Sequence, residues 1–394
     1  MHAERGPSLT VVSRTFPPRA AGSAILLANL LSAYTGRVQA IAGEDQYSPL
    51  DPAFLPPCPT QSLGLPLLSS RIYDGVRIRH QAVASRLIQG MMRRTLAAMG
   101  TDVVLAAFPR EDFFVATFVA ARRLRLPFYA HMHDLWQENM PDGQAARFAA
   151  AWEPVILQQA TRVLCMTEAM QRHYEKKYGI QTDLLPHSIS EQDSLCAPRD
   201  VLPPRMAKPT VLFVGAVSPA MNLDALRVLA AASELLPPEY ELLCCTATDL
   251  AALQRLGIRS SRLRATYVSR AEVQRLQSET HVLVAPLSHK DCSLDEVHTV
   301  FSTKLLEYLI AGRPIVVFAP AGSYHAESAQ KHGWGYVVTE DSPAALATAL
   351  VKVVTDEHLA AELVRRAIQE AHSRDARHHA ERLREWVLTD ARQS

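Results

Sequence analysis

A lysine and a glutamate three residues apart, Lys304 and Glu307, are the pair in this chain best placed to hold an anionic ligand. They occupy the opening turns of a predicted helix within the run FSTKLLEYLIAGRP at residues 301–314. At this spacing the two side chains share one helix face, and the lysine stands nearer the positive end of the helix dipole. The pair therefore indicates a site for a negatively charged molecule.

The elements around this pair place it at the end of a strand. Apolar runs at residues 281–287 and 314–319 flank it, and each is typical of a parallel strand that is covered on both faces. Ser302 or Thr303 is predicted to cap the helix, and Gly312 to end it. The first-turn N–H groups would then be free for an anion at the carboxyl end of a strand, where open α/β sheets bind ligands.

Strand-like and helical runs alternate over nearly the whole chain, which predicts an α/β fold of two doubly wound, Rossmann-like domains. The predicted strands lie at residues 9–13, 38–42, 102–108, 128–133 and 162–166, and then at 210–214, 240–245, 264–268, 281–285, 315–318 and 334–338. A proline-rich segment without periodicity separates the two series. The predicted parts are an N-terminal domain at 1–189, a linker at 190–208, a second domain at 209–372 and a final helix at 373–394.

Composition narrows the class of protein. The 394 residues are 48% apolar and 21% charged, as in soluble globular domains. A net charge of +1 without a basic stripe argues against nucleic-acid partners. Six cysteines without a CxxC pair fit a reducing compartment, and no signal peptide or long apolar run is found, so a cytoplasmic location is expected. No Asp-x-Asp motif or ligand spacing around His372, His378 and His379 indicates a metal, so no metal requirement is expected.

Several segments, in sequence order, resemble the family-4 glycosyltransferases of the GT-B fold. FSTKLLEYLIAGRPIVVFAP is similar to their donor-site helix, HMHDLWQEN to their central His-Asp loop, and FVGAVSPAMNLDAL to the start of their donor domain. RTFPPRAAGSAILLANLLSAY resembles their first strand-to-helix loop, and VLCMTEAMQRHYEKKYG with LLPHSI resembles the segment before the linker. The resemblance implies two Rossmann-like domains facing a central cleft, with a C-terminal helix that crosses back to the N-terminal domain.

For the donor side, the resemblance implies that Glu307 accepts hydrogen bonds from the ribose hydroxyls of a nucleotide, which suits an acceptor-only carboxylate. Lys304 is predicted to supply charge for the diphosphate, since a helix dipole offers only about half a positive charge. The remaining predicted donor contacts are Ser302, Thr303, Leu305, Gly215 and Ser218.

For the acceptor side, the resemblance implies that His133 contacts the transferred sugar or supports departure of the leaving group. His131 lies two residues earlier on the same side of a strand and is a second candidate. The full set of predicted acceptor or sugar contacts is Gly22, Ser23, His131, Asp134, Arg110 and Asp291.

Three positions depart from the family pattern. Ala216 and Met221 stand where many members carry an arginine and a lysine for the diphosphate, and Thr299 stands where a paired glutamate is expected. Asp291, or one of the acidic residues at 295 and 296, could replace that carboxylate. These departures leave room for a chain that keeps the fold with altered activity.

The implied function is transfer of a hexose-like sugar from a nucleoside-diphosphate sugar to a carbohydrate, lipid-linked or small-molecule acceptor, with retention of configuration. The donor is a substrate, and no further cofactor is implied. Two alternatives stay open: a nucleotide-sugar epimerase on the same fold, and a non-catalytic protein that binds a glycan or a partner through a degenerate site.

Residues 71–100 also suggest contact with the inner face of a membrane. This stretch contains six arginines but only one acidic residue, an aspartate, and an apolar stripe is predicted on the same helix. Such a helix resembles an interfacial helix near anionic lipid, and an ordinary helix packed on the sheet is the alternative. The arginines are Arg71, Arg77, Arg79, Arg86, Arg93 and Arg94, and the stripe is Val83, Leu87, Met91 and Met92.

Overall fold

The computed structural model describes residues 6–19, 22–43, 50–52, 54–63, 80–140, 143–190, 192–193, 206–290 and 294–393. The chain divides into two compact units. The first combines Met1–Glu191 with Asp375–Ser394, and the second is Gln192–Arg374. Most of the predicted linker at 190–208 lies outside the described residues.

The first unit is a parallel sheet that, in its described part, has the order β3-β2-β1-β4-β5-β6-β7. Its strands are β1 Ser8–Ser13, β2 Arg37–Ala42, β3 Thr60–Ser62, β4 Val103–Phe108, β5 Phe128–Met132, β6 Arg162–Cys165 and β7 Asp183–Leu184. Its helices up to this point of the chain are α1 Gly22–Ser32, α2 Gln81–Ala98, α3 Glu111–Leu124, α4 Gln144–Gln159 and α5 Glu168–Tyr178. The strand order reverses between β1 and β4, which is where doubly wound sheets bind ligands.

The second unit repeats this plan in the order β10-β9-β8-β11-β12-β13. Its strands are β8 Thr210–Val214, β9 Glu241–Cys245, β10 Leu263–Thr266, β11 Val282–Pro286, β12 Ile315–Phe318 and β13 Tyr336–Val338. Its helices are α6 Leu223–Glu234, α7 Leu250–Arg255, α8 Arg270–Glu279, α9 Leu294–Thr299, α10 Lys304–Leu309, α11 Tyr324–His332, α12 Pro343–Thr355 and α13 Glu357–Ser373. Here the order reverses between β8 and β11.

The last helix, α14 Ala376–Asp390, belongs to the first unit. Its Ala380, Leu383 and Val387 pack into the apolar layer that α1 forms on one face of the sheet. The chain enters this helix through a bridge between Ile189 and Asp375. The two chain segments that make up the first unit therefore share one hydrophobic core.

The α/β class and the strand positions predicted from the sequence are confirmed to within two residues for each predicted strand. The strands β3 and β7 were missed, because runs of three and two residues are too short to show a period of two. Helix α12 is capped by Ser342, whose hydroxyl accepts from the Ala345 N–H, and Pro343 is its first residue.

Three local predictions are wrong. The site helix α10 has Thr303 at its N-cap position without a side-chain cap, because Thr303 itself has helical backbone angles there. Gly312 does adopt a left-handed φ of +68°, but the helix ends three residues before it, at Leu309. The apolar stripe on α2 is also corrected, since Met92 is fully buried in the core whereas Val83 and Leu87 are exposed.

Candidate functional site

Lys304 is the first residue of α10, and that helix is fixed to the central strand of the second unit. The hydroxyl of Tyr308, which is fully buried, accepts a hydrogen bond of 2.9 Å from the N–H of Val214 at the end of β8. The Lys304 side chain runs across the ring of Phe213, with Nζ 4.6 Å from the ring centre. Helix α10 thereby delivers an ammonium group to the carboxyl end of β8.

The backbone beyond β8 approaches this ammonium closely. Gly215 has a φ of +137°, and a Cβ placed on it would lie 3.5 Å from Nζ of Lys304. A side chain at this position would therefore be strained by its backbone, and its Cβ would lie in van der Waals contact with the lysine. Glycine keeps open the space in which a ligand could meet the ammonium.

The charge of Lys304 is not neutralised by the described part of the protein. Its side chain forms no ion pair or hydrogen bond there, and its charged contact is with the Phe213 ring. Burial lowers the pKa of Lys304 to about 8. The side chain as a whole is half-buried, and because partial desolvation of an unpaired charge is unfavourable, an anion that reached Nζ would offset part of that cost.

Glu307 lies on the same helix, and a residue of another helix donates a hydrogen bond to its carboxylate. Its Oε2 accepts a hydrogen bond of 3.2 Å from Nε2 of Gln277, a residue of α8 that is 1% exposed. The other carboxylate oxygen makes no hydrogen bond within the described residues. Glu307 therefore presents a free acceptor on the helix that begins with Lys304. The sequence could not reveal Gln277, which lies 30 positions away.

The loop after Gly215 is closed by a side chain that the sequence prediction did not include. Asn222, 4% exposed, accepts from the Ser218 N–H at 2.9 Å and donates to the Ala216 carbonyl at 3.0 Å. The N–H of Ser218 is therefore engaged within the protein. The hydroxyl of Ser218 makes no hydrogen bond within the described residues.

In and beside the loop before α10, the backbone N–H groups of two predicted donor residues are engaged within the protein. The N–H of Ser302 donates to Nε2 of His325 at 3.0 Å, so this first-turn N–H is not free for an anion. The side chain of Leu305 is fully buried and its N–H donates to the Ser302 carbonyl. Leu305 is a core residue, and it offers no group to a ligand.

In the first unit, three of the predicted residues meet at the carboxyl end of β5. Nδ1 of His133 lies 3.1 Å from Oγ of Ser23, and its Nε2 lies 3.2 Å from Nδ1 of His131. Burial lowers the pKa of His131 to about 4 and that of His133 well below its usual range. Both rings are therefore neutral near pH 7. Since His131 is 2% exposed, it contacts His133 from inside the protein.

The loop that follows His133 is held by a buried carboxylate. Glu153, fully buried in the middle of α4, accepts from the Gln137 N–H at 2.7 Å and from Nζ of Lys177 at 3.0 Å. Burial raises the pKa of Glu153, and it raises the pKa of Asp134 in the same loop to about 6. Glu153 could not be recognised from the sequence, because an acid within a helix ordinarily faces solvent.

The remaining predicted acceptor residues are placed as follows. Arg110 is 8% exposed, and its Nε pairs with Asp112 at 2.6 Å, so its guanidinium is tied to the next helix, α3. Gly22 is exposed at the first position of α1. Asp291 lies outside the described residues. Thr299 is buried, and its hydroxyl donates to the Asp295 carbonyl in α9.

The described residues offer neither a metal site nor a membrane-spanning helix. They contain no group of three or more His, Cys, Asp or Glu side chains arranged to hold a metal ion. No helix among them is both long and apolar enough to cross a bilayer.

Two Rossmann-like units, one of which offers an unpaired cation and a free carboxylate oxygen, define the domain pair of a GT-B protein. Family models agree with this. Residues 10–185 match the "Glycosyl transferase 4-like domain" and residues 208–356 match "Glycosyl transferases group 1". The chain belongs to the family-4 glycosyltransferases of the GT-B fold. A comparison with curated protein sequences found no match.

Solved structures share this fold at low sequence identity. Sucrose-phosphate synthase from Thermosynechococcus elongatus is 16% identical, with a TM-score of 0.69 over 98% of this chain and 100% of that one. The Anabaena protein HepE in complex with UDP-glucose is 15% identical, with a TM-score of 0.65 over 97% and 99%. A Listeria monocytogenes protein assigned as a UDP-N-acetylglucosamine 2-epimerase is 12% identical, with a TM-score of 0.61 over 99% and 98%. These likenesses concern the fold.

Proposed function

We propose that this protein transfers a hexose-like sugar from a nucleoside-diphosphate sugar to a carbohydrate, lipid-linked or small-molecule acceptor, with retention of configuration. The observation that carries the proposal is the ammonium of Lys304, which belongs to a half-buried side chain, is unpaired within the described residues and faces a glycine loop. HepE, of the same fold, was solved with UDP-glucose, which supports a nucleotide sugar as the donor.

Each side chain has a role in this reaction. Lys304 neutralises the diphosphate and stabilises the negative charge that grows on it as the sugar leaves, which is the kind of preorganised electrostatic help that lowers barriers most. Glu307 accepts from the ribose hydroxyls through its free oxygen. His133 is neutral and contacts the transferred sugar, with Ser23 and His131 fixing its ring. No step requires a metal, because the lysine supplies the charge that a cation would otherwise provide.

Nucleoside diphosphates and their sugars should raise the melting temperature of the purified protein, and Glu307→Ala should reduce that effect. Ligands that bind only the native state stabilise it in proportion to the logarithm of their concentration over Kd. Hydrogen bonds to a charged group contribute roughly 1.5 to 3 kcal/mol, so Kd should rise about ten- to a hundredfold in the variant. Thermal unfolding with a panel of bases measures both quantities.

The matched control is Glu239→Ala, because Glu239 is an exposed acid in a loop of the same unit. It should bind nucleotides as the wild type does. No stabilisation by any nucleotide at millimolar concentration would instead favour a non-catalytic protein with a degenerate site, for which Ala216 and Met221 are the motivation. Release of free nucleotide that depends on an added acceptor separates a transferase from an epimerase.

We also propose that helix α2 brings the protein to an anionic membrane surface. One face of α2 is buried against the first unit, whereas Val83 and Leu87 on another are 49% and 52% exposed. Arg86, Arg93 and Arg94 are exposed beside them, and the helix contains no acidic residue. Apolar side chains among arginines complement an anionic lipid surface. The predicted arginines at 71, 77 and 79 lie outside the described residues.

The protein should therefore sediment with vesicles that contain anionic phospholipid at low salt, and less so at high salt because the attraction is screened. The double variant Val83→Asp with Leu87→Asp should abolish sedimentation. Leu235→Asp, at a 59% exposed leucine of the second unit, is the control and should leave it unchanged. Equal sedimentation of both variants, or none by the wild type at low salt, would reject the membrane proposal.

A further inference from the structure

The loop Phe301–Thr303, which leads into Lys304, is held by residues that come from later parts of the second unit. Phe301 is 3% exposed, and its ring packs edge-on against three neighbours. These are Tyr324 at 6.0 Å, His325 at 6.0 Å and Trp334 at 6.5 Å between ring centres. The loop is therefore anchored by an aromatic cluster built from α11 and the segment after it.

A buried cation covers the ring of Phe301. The guanidinium carbon of Arg374 stands 4.1 Å from the centre of that ring. Arg374 is 5% exposed, and its Nη2 pairs at 2.8 Å with Oε1 of Glu370, one turn earlier on α13. A cation over an aromatic face binds more strongly when water is excluded. Helix α13 thus clamps the first residue of the loop.

The second residue of the loop is held by a histidine. Nε2 of His325 accepts the N–H of Ser302 at 3.0 Å, so this nitrogen carries no proton. Burial, and after it the charge of Lys304, lower the pKa of His325 to about 3. The ring is therefore neutral at ordinary pH, and the bond to Ser302 is kept. His325 is 2% exposed and is not a ligand contact.

These contacts explain how the half-buried side chain of Lys304 keeps one position without an ion pair in the described residues. A lysine at a flexible loop-helix junction would instead exchange among many rotamers and turn towards water. We propose that Arg374 and His325 are positioning residues of the donor site, which fix the loop Phe301–Thr303 so that Lys304 is held over the Gly215 loop ready for a diphosphate. The nucleotide part of this inference rests on the proposed function, whereas the positioning of Lys304 does not.

The test uses two readouts on the full-length protein. The first is the Kd of the best-bound nucleoside diphosphate by calorimetry. The second needs no nucleotide: it is the pH midpoint of Lys304 acetylation by acetic anhydride, followed by mass spectrometry. Arg374→Met and His325→Leu should each raise Kd by about tenfold, the effect of losing a preorganised contact. Both should also move the Lys304 midpoint upward from about 8 towards the 10.5 of an ordinary lysine.

Two further variants make the result specific. His325→Asn keeps a hydrogen-bond acceptor and should retain most of the affinity. Arg366→Met removes an arginine of the same helix that pairs with Glu362 in the same i,i+4 geometry but is about half exposed, and it should change neither readout. If a folded Arg374→Met or His325→Leu protein keeps the wild-type Kd, the Lys304 labelling midpoint decides. An unchanged midpoint in Arg374→Met overturns the inference, whatever happens to Kd. If the wild-type protein binds no nucleotide, the proposed function is overturned. The pH midpoint of Lys304 acetylation then still tests whether Arg374 and His325 position Lys304.

Discussion

Replacing Lys304 by methionine is expected to weaken nucleoside diphosphate binding by about a hundredfold and to make the ligand-free protein more stable. The affinity falls because a charge-assisted hydrogen bond contributes roughly 1.5 to 3 kcal/mol. The stability rises because methionine fits over the ring of Phe213 without a charge to desolvate. The pKa of Lys304 is lowered from 10.5 to about 8, so the gain should be about 2 to 3 kcal/mol at pH 7. A residue with only a structural role would lose both quantities together.

The dependence on pH follows from the same shift. The folded pKa of Lys304 lies below its unfolded value, so the unfolded chain binds the proton more tightly. Wild-type stability should therefore rise, relative to the methionine variant, between pH 8 and 10.5. Nucleotide affinity should change in the opposite direction. It should fall as the pH rises through about 8, by at most about tenfold per unit, because the free site loses its charge.

Calorimetry between pH 6.5 and 9.5 and urea unfolding at the same values measure both effects. Lys352→Met is the matched control, since this exposed lysine also lies over an aromatic ring, that of Tyr336 at 5.4 Å. It should alter neither the affinity nor its pH profile. The assignment of Lys304 as the unpaired ammonium that binds a phosphate would be contradicted by either of two results. One is an equal loss of affinity in Lys304→Met and Lys352→Met, and the other is a Lys304→Met protein less stable than the wild type.

The sequence was sufficient for the parts of this site that depend on local order. Lys304 and Glu307 could be assigned to one helix face because three residues are nearly one turn, and the flanking strands could be read from continuous apolar runs. The pairing of His133 with a residue of α1 was partly foreseen, since Ser23 and His133 were both expected at strand ends of one sheet. Shared edges of a sheet are a consequence of the parallel topology.

The sequence was insufficient wherever a contact joins distant positions. Three residues contact the segment around Lys304 from distant positions, and none belongs to a motif. Gln277 contacts Glu307 across 30 positions, His325 contacts Ser302 across 23, and Arg374 contacts Phe301 across 73. Glu153 was missed for another reason: an acid inside an amphipathic helix is normally on its wet face. Its burial becomes apparent only when Lys177 and the Gln137 N–H are seen to satisfy it. Residue type therefore predicts candidates, whereas partners decide their protonation and orientation.

The last helix offers the largest expected effect on stability. Asp390, near the end of α14 and 7% exposed, accepts from the hydroxyl of Tyr129 at 2.6 Å and pairs with Arg162 at 2.7 Å. Burial alone would lower the pKa of Arg162, but the bonds to Asp390 and Asp183 outweigh it and raise that pKa. The guanidinium also lies 5.2 Å from the ring centre of Trp386 in α14. One carboxylate thus joins the helix to the first residues of β5 and β6.

Asp390→Ala should lower the free energy of unfolding of the first unit by about 3 to 5 kcal/mol, because it leaves a buried hydroxyl and a half-paired guanidinium without their partner. Urea unfolding followed by tryptophan fluorescence measures this, since Trp386 reports directly on the helix. Glu381→Ala is the control on the same helix. Glu381 is exposed and pairs with Arg384 at 3.1 Å, and such pairs contribute at most about 1 kcal/mol. A loss in Asp390→Ala no larger than that of the control would mean that apolar packing alone holds α14 to the sheet.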